Sequence, residues 1–159
     1  LITQVSGRSG RHSDEPGQVV VQTYNPGHAS IQFAKENDYE GFAEDELKFR
    51  RELHYPPFSR IASLKIQGNT VENTETTAER LVQRAIHLQE KVSHYSDLQI
   101  LGPAQAPLFK LRNKYRYHIL IKSADGQILR GFCKQLLSDL KWVSPATKVQ
   151  IDIDPINML

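Results

Sequence analysis

Arg8 and Arg11 stand three residues apart in the string Gln4-Val5-Ser6-Gly7-Arg8-Ser9-Gly10-Arg11. On a helix that spacing puts both guanidinium groups on one side. A guanidinium is always ionised and can fork onto two oxygens at once. Such a pair suits hydrolysis of a nucleoside triphosphate, in which charge builds on the γ-phosphate oxygens. Arginine fingers of this kind supply about 10³–10⁵ in rate. Gly7 permits close backbone packing beside them. Two arginines alone read more readily as a solvated basic terminus rich in glycine and serine; the full string is more specific.

A second set lies in Phe109-Lys110-Leu111-Arg112-Asn113-Lys114-Tyr115-Arg116-Tyr117-His118, where cations alternate with rings. Single-stranded nucleic acid is held by such sets: cations follow the phosphates and rings stack on bases. Strand alternation places Arg116 and His118 on one side and Tyr115 and Tyr117 on the other. The expectation is a loop that offers Lys110, Arg112 and Lys114 to phosphates. Tyr115 and Arg116 adjoin it, and one tyrosine ring lies partly in the core. A solvated basic edge strand is the other reading. No acidic residue occurs between Asp97 and Asp125, a stretch that also holds Lys122. A local patch of this kind attracts phosphates even when the whole chain is nearly neutral.

Other candidates read more plainly. Asp152 and Asp154 share a strand face and could bind a metal or move protons. A polar sheet face ended by Asp154-Pro155 is the plainer account of them. The six histidines show no ligand spacing, so no residue is assigned to a metal. Cys133 is the sole cysteine, set among apolar residues and read as a buried core thiol. A single cysteine excludes an internal disulfide and any multi-cysteine zinc site. Tyr55-Pro56-Pro57-Phe58 reads as a turn docking onto a sheet.

The elements that must hold these groups follow from pattern. The chain has 159 residues, 39% of them apolar, and a net charge of +2. That is room for one domain, or one domain plus a remnant. No apolar run approaches the ~18 residues needed to span a membrane. The chain begins without methionine, in what reads as the end of a helix, so a piece of a longer protein is expected. Gln18 to Tyr24 is β-branched and short and predicts a buried strand. Helices are predicted over 28–37, with Ile31, Phe33 and Ala34 on one side, and over 39–54, with Phe42, Ala43, Leu47 and Leu53. Acids early and bases late in the second complement its dipole. Arg60 to Gln67 alternates as a half-buried strand. A helix follows over 71–93, with Ala78, Leu81, Ala85, Leu88 and Val92 in one stripe. A short strand over 98–102, a loop over 102–107 and a strong strand from Tyr115 to Lys122 come next. A helix after Asp125-Gly126 turns Leu129, Phe132, Cys133, Leu136, Leu137 and Leu140 inward, and Val149 to Asp154 is the last strand. The order β-α-β-β-α-β is the split βαβ, ferredoxin-like arrangement, an α+β antiparallel sheet with helices on one face.

The opening string resembles motif VI of superfamily-2 helicases, with serine for alanine at Ser6 and Ser9. Further strings, V-V-V-Q-T-Y-N-P, Y-P-P-F-S-R, L-G-P-A-Q-A-P-L-F-K-L-R-N-K-Y-R-Y and I-D-I-D-P, look like the primosomal protein N′ (PriA) family of bacterial replication-restart helicases. The resemblance spans residue 1 to about 155. It implies that 1–24 is the tail of a second RecA-like lobe, 25–58 a helical linker and 59–159 a domain similar to ribosomal protein S10. It implies that Arg8 and Arg11 contact the γ-phosphate of ATP, with Arg11 the finger, Gln4 placing the motif and Gly7 beside it. ATP and Mg²⁺ would serve the full-length protein, a 3′ to 5′ DNA helicase acting in the bacterial cytoplasm near the nucleoid. The chain lacks a Walker A loop, a D-E-x-H box and the family's zinc-binding segment, so alone it should neither hydrolyse ATP nor hold zinc. The implied partners are forked and single-stranded DNA, other primosome proteins and the acidic tail of the single-stranded-DNA-binding protein. Arg130 and Lys134 are the candidate contacts for that tail. The alternative is a stand-alone nucleic-acid-binding module with no enzymatic role.

Overall fold

The computed structural model describes residues 2–7 and 18–155. The chain divides into two compact units, 1–52 and 53–159.

The first unit is helical. α1 spans Ile2–Ser6, α2 Ala29–Glu36 and α3 Tyr39–Glu52. His28 caps α2, its Nδ1 accepting from the Ser30 amide at 3.3 Å. Asn37 ends α2 in the left-handed region at φ 58°. Asp38 Oδ1 accepts from the Gly41 amide at 2.8 Å and starts α3. Phe33 and Phe42 meet across the pair with ring centres 6.0 Å apart. Neither helix fully buries a residue, and Leu47, expected inward, is exposed. The strand expected over 18–24 is absent: the segment is irregular and exposed, with Val20 at 91%. A β-branched run becomes a strand only when a neighbour supplies its ladder. Among the described residues, this unit contains no strand to do so.

The second unit runs β1 (Arg60–Gly68), α4 (Val71–Lys91), a 3₁₀ turn (Ser93–Tyr95), β2 (Gln99–Leu111), β3 (Lys114–Ser123), α5 (Gly126–Leu136) and β4 (Thr147–Ile153). The sheet order is β4-β1-β3-β2, with every neighbouring pair antiparallel. Thr70 Oγ1 caps α4 by accepting from the Asn73 amide, and Asp125 caps α5 by accepting from the Gln127 and Ile128 amides. Such caps satisfy amides that have no partner within the helix. Ala62, Leu64 and Ile66 of β1 and Ile119 and Ile121 of β3 are fully buried, as are Ala78 and Leu81 of α4 and Leu129 and Phe132 of α5. They form one cluster between the helices and the sheet. A large apolar side chain buried so fully contributes about 1.5–3 kcal/mol.

Two departures from the pattern matter for the site. First, β2 continues through the segment expected as a loop, with register shifts between Leu101 and Ala104 and between Gln105 and Lys110. Prolines at 103 and 107 are tolerated because β2 is an edge strand, where no outer ladder needs their missing amides. Gly102 has φ 109°, and a Cβ there would lie 2.9 Å from the His118 carbonyl oxygen. Second, one end of the opposite sheet face is also buried. Ile61, Ser63 and Lys122 are buried there. Lys122 Nζ donates to the Leu53 carbonyl at 3.2 Å and sits 3.7 Å from the centre of the Tyr55 ring. The turn at 55–58 thus docks on the sheet as its prolines suggested, and it removes Lys122 from the basic patch.

Candidate nucleic-acid interface

β2 and β3 join in a two-residue turn. Leu111 pairs with Lys114, and Arg112 and Asn113 between them have φ of 51° and 58°. Positive φ at both central positions is the type I′ geometry, whose twist matches the flanking strands. Arg112 is therefore the exposed tip of a hairpin. Lys110 and Lys114, expected on a loop, are strand residues on either side of it. Lys110 pairs with Tyr115, and its ammonium lies 5.1 Å from that ring. Lys114 reaches back to the Asn69 side chain.

The rings do not form a stacking platform. Phe109 packs on Tyr115 at 5.4 Å and edge-on to Tyr117 at 5.6 Å. Tyr117 is the ring in the core, 4% exposed, and burial raises its phenol above the usual range. The structure thus gathers Lys110, Arg112, Lys114 and Tyr115 around the tip, with Lys110 and Tyr115 on the helix side of the sheet and Lys114 and Arg116 on the other face. His118 shares that face. Its Nδ1 is buried without a hydrogen-bond partner, and burial lowers the imidazole below its usual range.

The register assembles cations that the sequence had kept apart. Gln67 of β1 pairs with Arg116 on one side and Lys148 on the other. Lys65 pairs with His118 and Gln150. Lys65 and Lys148 were not candidates from sequence. The only signal was their polar place in an alternating strand, which surface lysines everywhere share.

Other candidates resolve individually. Asp154 leaves the strand at φ 51°, accepts from the Ile61 amide at 3.2 Å and pairs with Arg60 at 2.9 Å. Asp152 pairs with Lys65 at 3.7 Å, so the two carboxylates form no joint site. Cys133 is buried, which pushes its thiol up from 9.0 to about 11. Among the described residues no three of His, Cys, Asp and Glu gather for a metal, and no helix is long and apolar enough to cross a membrane. Arg130 and Lys134 are exposed on α5 but line no described groove. The groove with an apolar floor lies between α4 and α5, with Leu88 and Leu136 below and Arg84, His87 and Lys91 alongside. Of the helicase-like string, Gln4 lies exposed on α1, and Gly7 closes that helix by donating to the Thr3 carbonyl at 3.1 Å. Arg8 and Arg11 lie outside the described residues.

The family model described as "Primosomal protein N C-terminal domain" matches residues 51–156. The chain belongs to the primosomal protein N (PriA) family. The replication restart protein PriA of Bacillus subtilis is 38% identical over 154 residues, covering 97% of this chain and 18% of that protein. Those of Synechocystis and Borreliella burgdorferi are 35% and 30% identical, each over 99% of this chain and over 18% and 23% of theirs. The chain therefore spans about a fifth of the length of these PriA relatives. Among solved structures, the de novo designed protein Foldit4 superposes with a TM-score of 0.44 at 12% identity, over 62% of this chain and 99% of that one.

Proposed function

We propose that this chain belongs to an ATP-dependent 3′ to 5′ DNA helicase that restarts replication by primosome assembly. Within it, residues 59–159 form the DNA-contacting domain. The observation that carries this reading is the β2–β3 hairpin, which presents Lys110, Arg112 and Lys114 around a turn with no acidic side chain in either strand. The name "replication restart protein" borne by relatives across nearly the whole chain supports the same role. The β-α-β-β-α-β order with strand order β4-β1-β3-β2 supports a ferredoxin-like, ribosomal protein S10-like domain. Residues 1–24 then read as the tail of a RecA-like lobe, followed by a helical linker to residue 58.

In the full-length protein Arg11 and Arg8 would meet the γ-phosphate of ATP, with Gln4 and Gly7 shaping their approach. Mg²⁺ and zinc would be held by other segments. The acidic tail of the single-stranded-DNA-binding protein is the proposed peptide partner. Among the described residues the α4–α5 groove suits it better than Arg130 and Lys134, because cations there border an apolar floor. The site of action is the bacterial cytoplasm, at the nucleoid.

Two experiments test the reading. The triple charge reversal K110E/R112E/K114E should weaken binding to forked DNA by more than tenfold near physiological salt, since each reversal removes one phosphate neutralisation and adds one repulsion, with about 0.9 of log–log salt slope per contact. Unchanged affinity refutes the hairpin. In the full-length protein, Arg11→Ala should abolish DNA-stimulated ATP hydrolysis and leave DNA binding intact; retained hydrolysis refutes the finger.

A further inference from the structure

The face of the sheet away from α4 and α5 is only partly covered. At the Ile61–Lys122 end the 53–58 segment lies over it. Toward the hairpin its strand residues are Lys114, Arg116 and His118 of β3 and Lys65 and Gln67 of β1, all half-buried, and Lys148 and Gln150 of β4, both exposed. We infer that this face of β4-β1-β3 is a second DNA contact, which follows the phosphate backbone of duplex DNA through Arg116, Lys65 and Lys148. The inference rests on the nucleic-acid reading of the hairpin and extends it from the tip along this face.

Register sets the spacing. Arg116 and Lys148 flank Gln67 on adjacent strands, so their backbones stand about 10 Å apart across the sheet. Lys65 lies one pleat away on the middle strand. That spread compares with the ~12 Å width of the major groove, so the cations can reach phosphates on both of its walls. Gln67 and Gln150 between them can donate to phosphate oxygens. Asp152 is the one carboxylate among the paired residues of this face, and its exposed contact with Lys65 at 3.7 Å is weak enough to yield to a phosphate.

The lack of an exposed stacking ring decides between duplex and single strand. Open sheets that grip single strands do so by stacking bases on aromatic side chains. None of the paired residues on this face is Phe, Tyr or Trp, and the one ring among them, His118, is half-buried with its Nδ1 out of solvent. Tyr115 and Tyr117 both pack on Phe109, with Tyr117 in the helix-side core. Cations and amides suit the stiff phosphate rows of a duplex.

The test uses the full chain and fluorescence anisotropy across a salt series, with a short blunt duplex of arbitrary sequence and an oligothymidylate of equal length. The variant is K65Q/R116Q/K148Q, none at a fully buried position, with an unchanged thermal melt as the control for folding. Duplex affinity should fall at least tenfold and the log–log salt slope should shrink by about 2–3, near 0.9 per lost phosphate contact, while oligothymidylate affinity changes less than twofold. An unchanged duplex affinity and slope overturns the inference, as does equal loss on both ligands or failure of the unaltered chain to bind duplex. If K110E/R112E/K114E weakens DNA binding while K65Q/R116Q/K148Q does not, the sheet face fails and the hairpin stands. If neither variant changes binding, the nucleic-acid reading itself fails.

Discussion

Lys122 separates a phosphate ligand from a structural cation. By sequence it belongs with Lys110, Arg112, Lys114 and Arg116; in the fold it is 6% exposed, against the Tyr55 ring at 3.7 Å and the Leu53 carbonyl at 3.2 Å. The perturbation is a double-mutant cycle of Tyr55→Leu and Lys122→Met. Leucine keeps apolar cover and removes the ring face; methionine keeps the stem and removes the charge. A desolvated cation–π contact is worth about 2 kcal/mol. A hydrogen bond from an ammonium adds about 1.5–3 kcal/mol, and removing the donor leaves the Leu53 carbonyl unpaired. Relief of the ammonium's desolvation offsets much of either single change. The coupling is therefore the informative quantity, and about 1–2 kcal/mol is expected from the ring contact. Urea denaturation followed by the fluorescence of Trp142, the sole tryptophan, reads it directly. A coupling below about 0.3 kcal/mol, the scatter of independent sites, refutes the contact. Lys122→Met should also leave the salt slope of DNA binding unchanged; a decrease of about 0.9 would show that Lys122 reaches a phosphate after all.

Three further outcomes follow from single positions. Gly102→Ala places a Cβ 2.9 Å from the His118 carbonyl at φ 109° and should cost about 1–3 kcal/mol in urea denaturation. The Cys133 thiol ionises near 9.0 when unfolded and near 11 when folded, so the unfolded chain loses its proton first. Its stabilisation is complete below pH 9 and falls by about 2–3 kcal/mol as pH rises to 11, and a Cys133→Ala variant should lack that alkaline slope. The His118 imidazole is lowered by burial, so the unfolded chain takes up its proton first as pH falls below 6.5. Stability should decline on that acid side and level off once the folded imidazole is protonated, and His118→Leu should lessen the decline; an unaltered acid slope in that variant refutes the assignment.

The sequence by itself determined the elements whose cause is local. The alternation of β1, the stripe on α4 and the apolar face of α5 are written in neighbouring residues, and the structure has each within a few positions of its expected bounds. The strings that carry the family resemblance are likewise local, and so is the hairpin's cluster of cations. What depended on distant partners was not legible. Val19 to Val21 has strand letters but no ladder among the described residues. Pro103 and Pro107 read as loop because nothing in the letters says that β2 is an edge. Lys122 reads as surface until Tyr55 is laid over it. Arg116, Lys65 and Lys148 become neighbours only because Gln67 pairs with a strand on each side. Register is fixed by burial of one whole sheet face, a property of the assembled core, so only the tertiary structure could decide which cations share a surface.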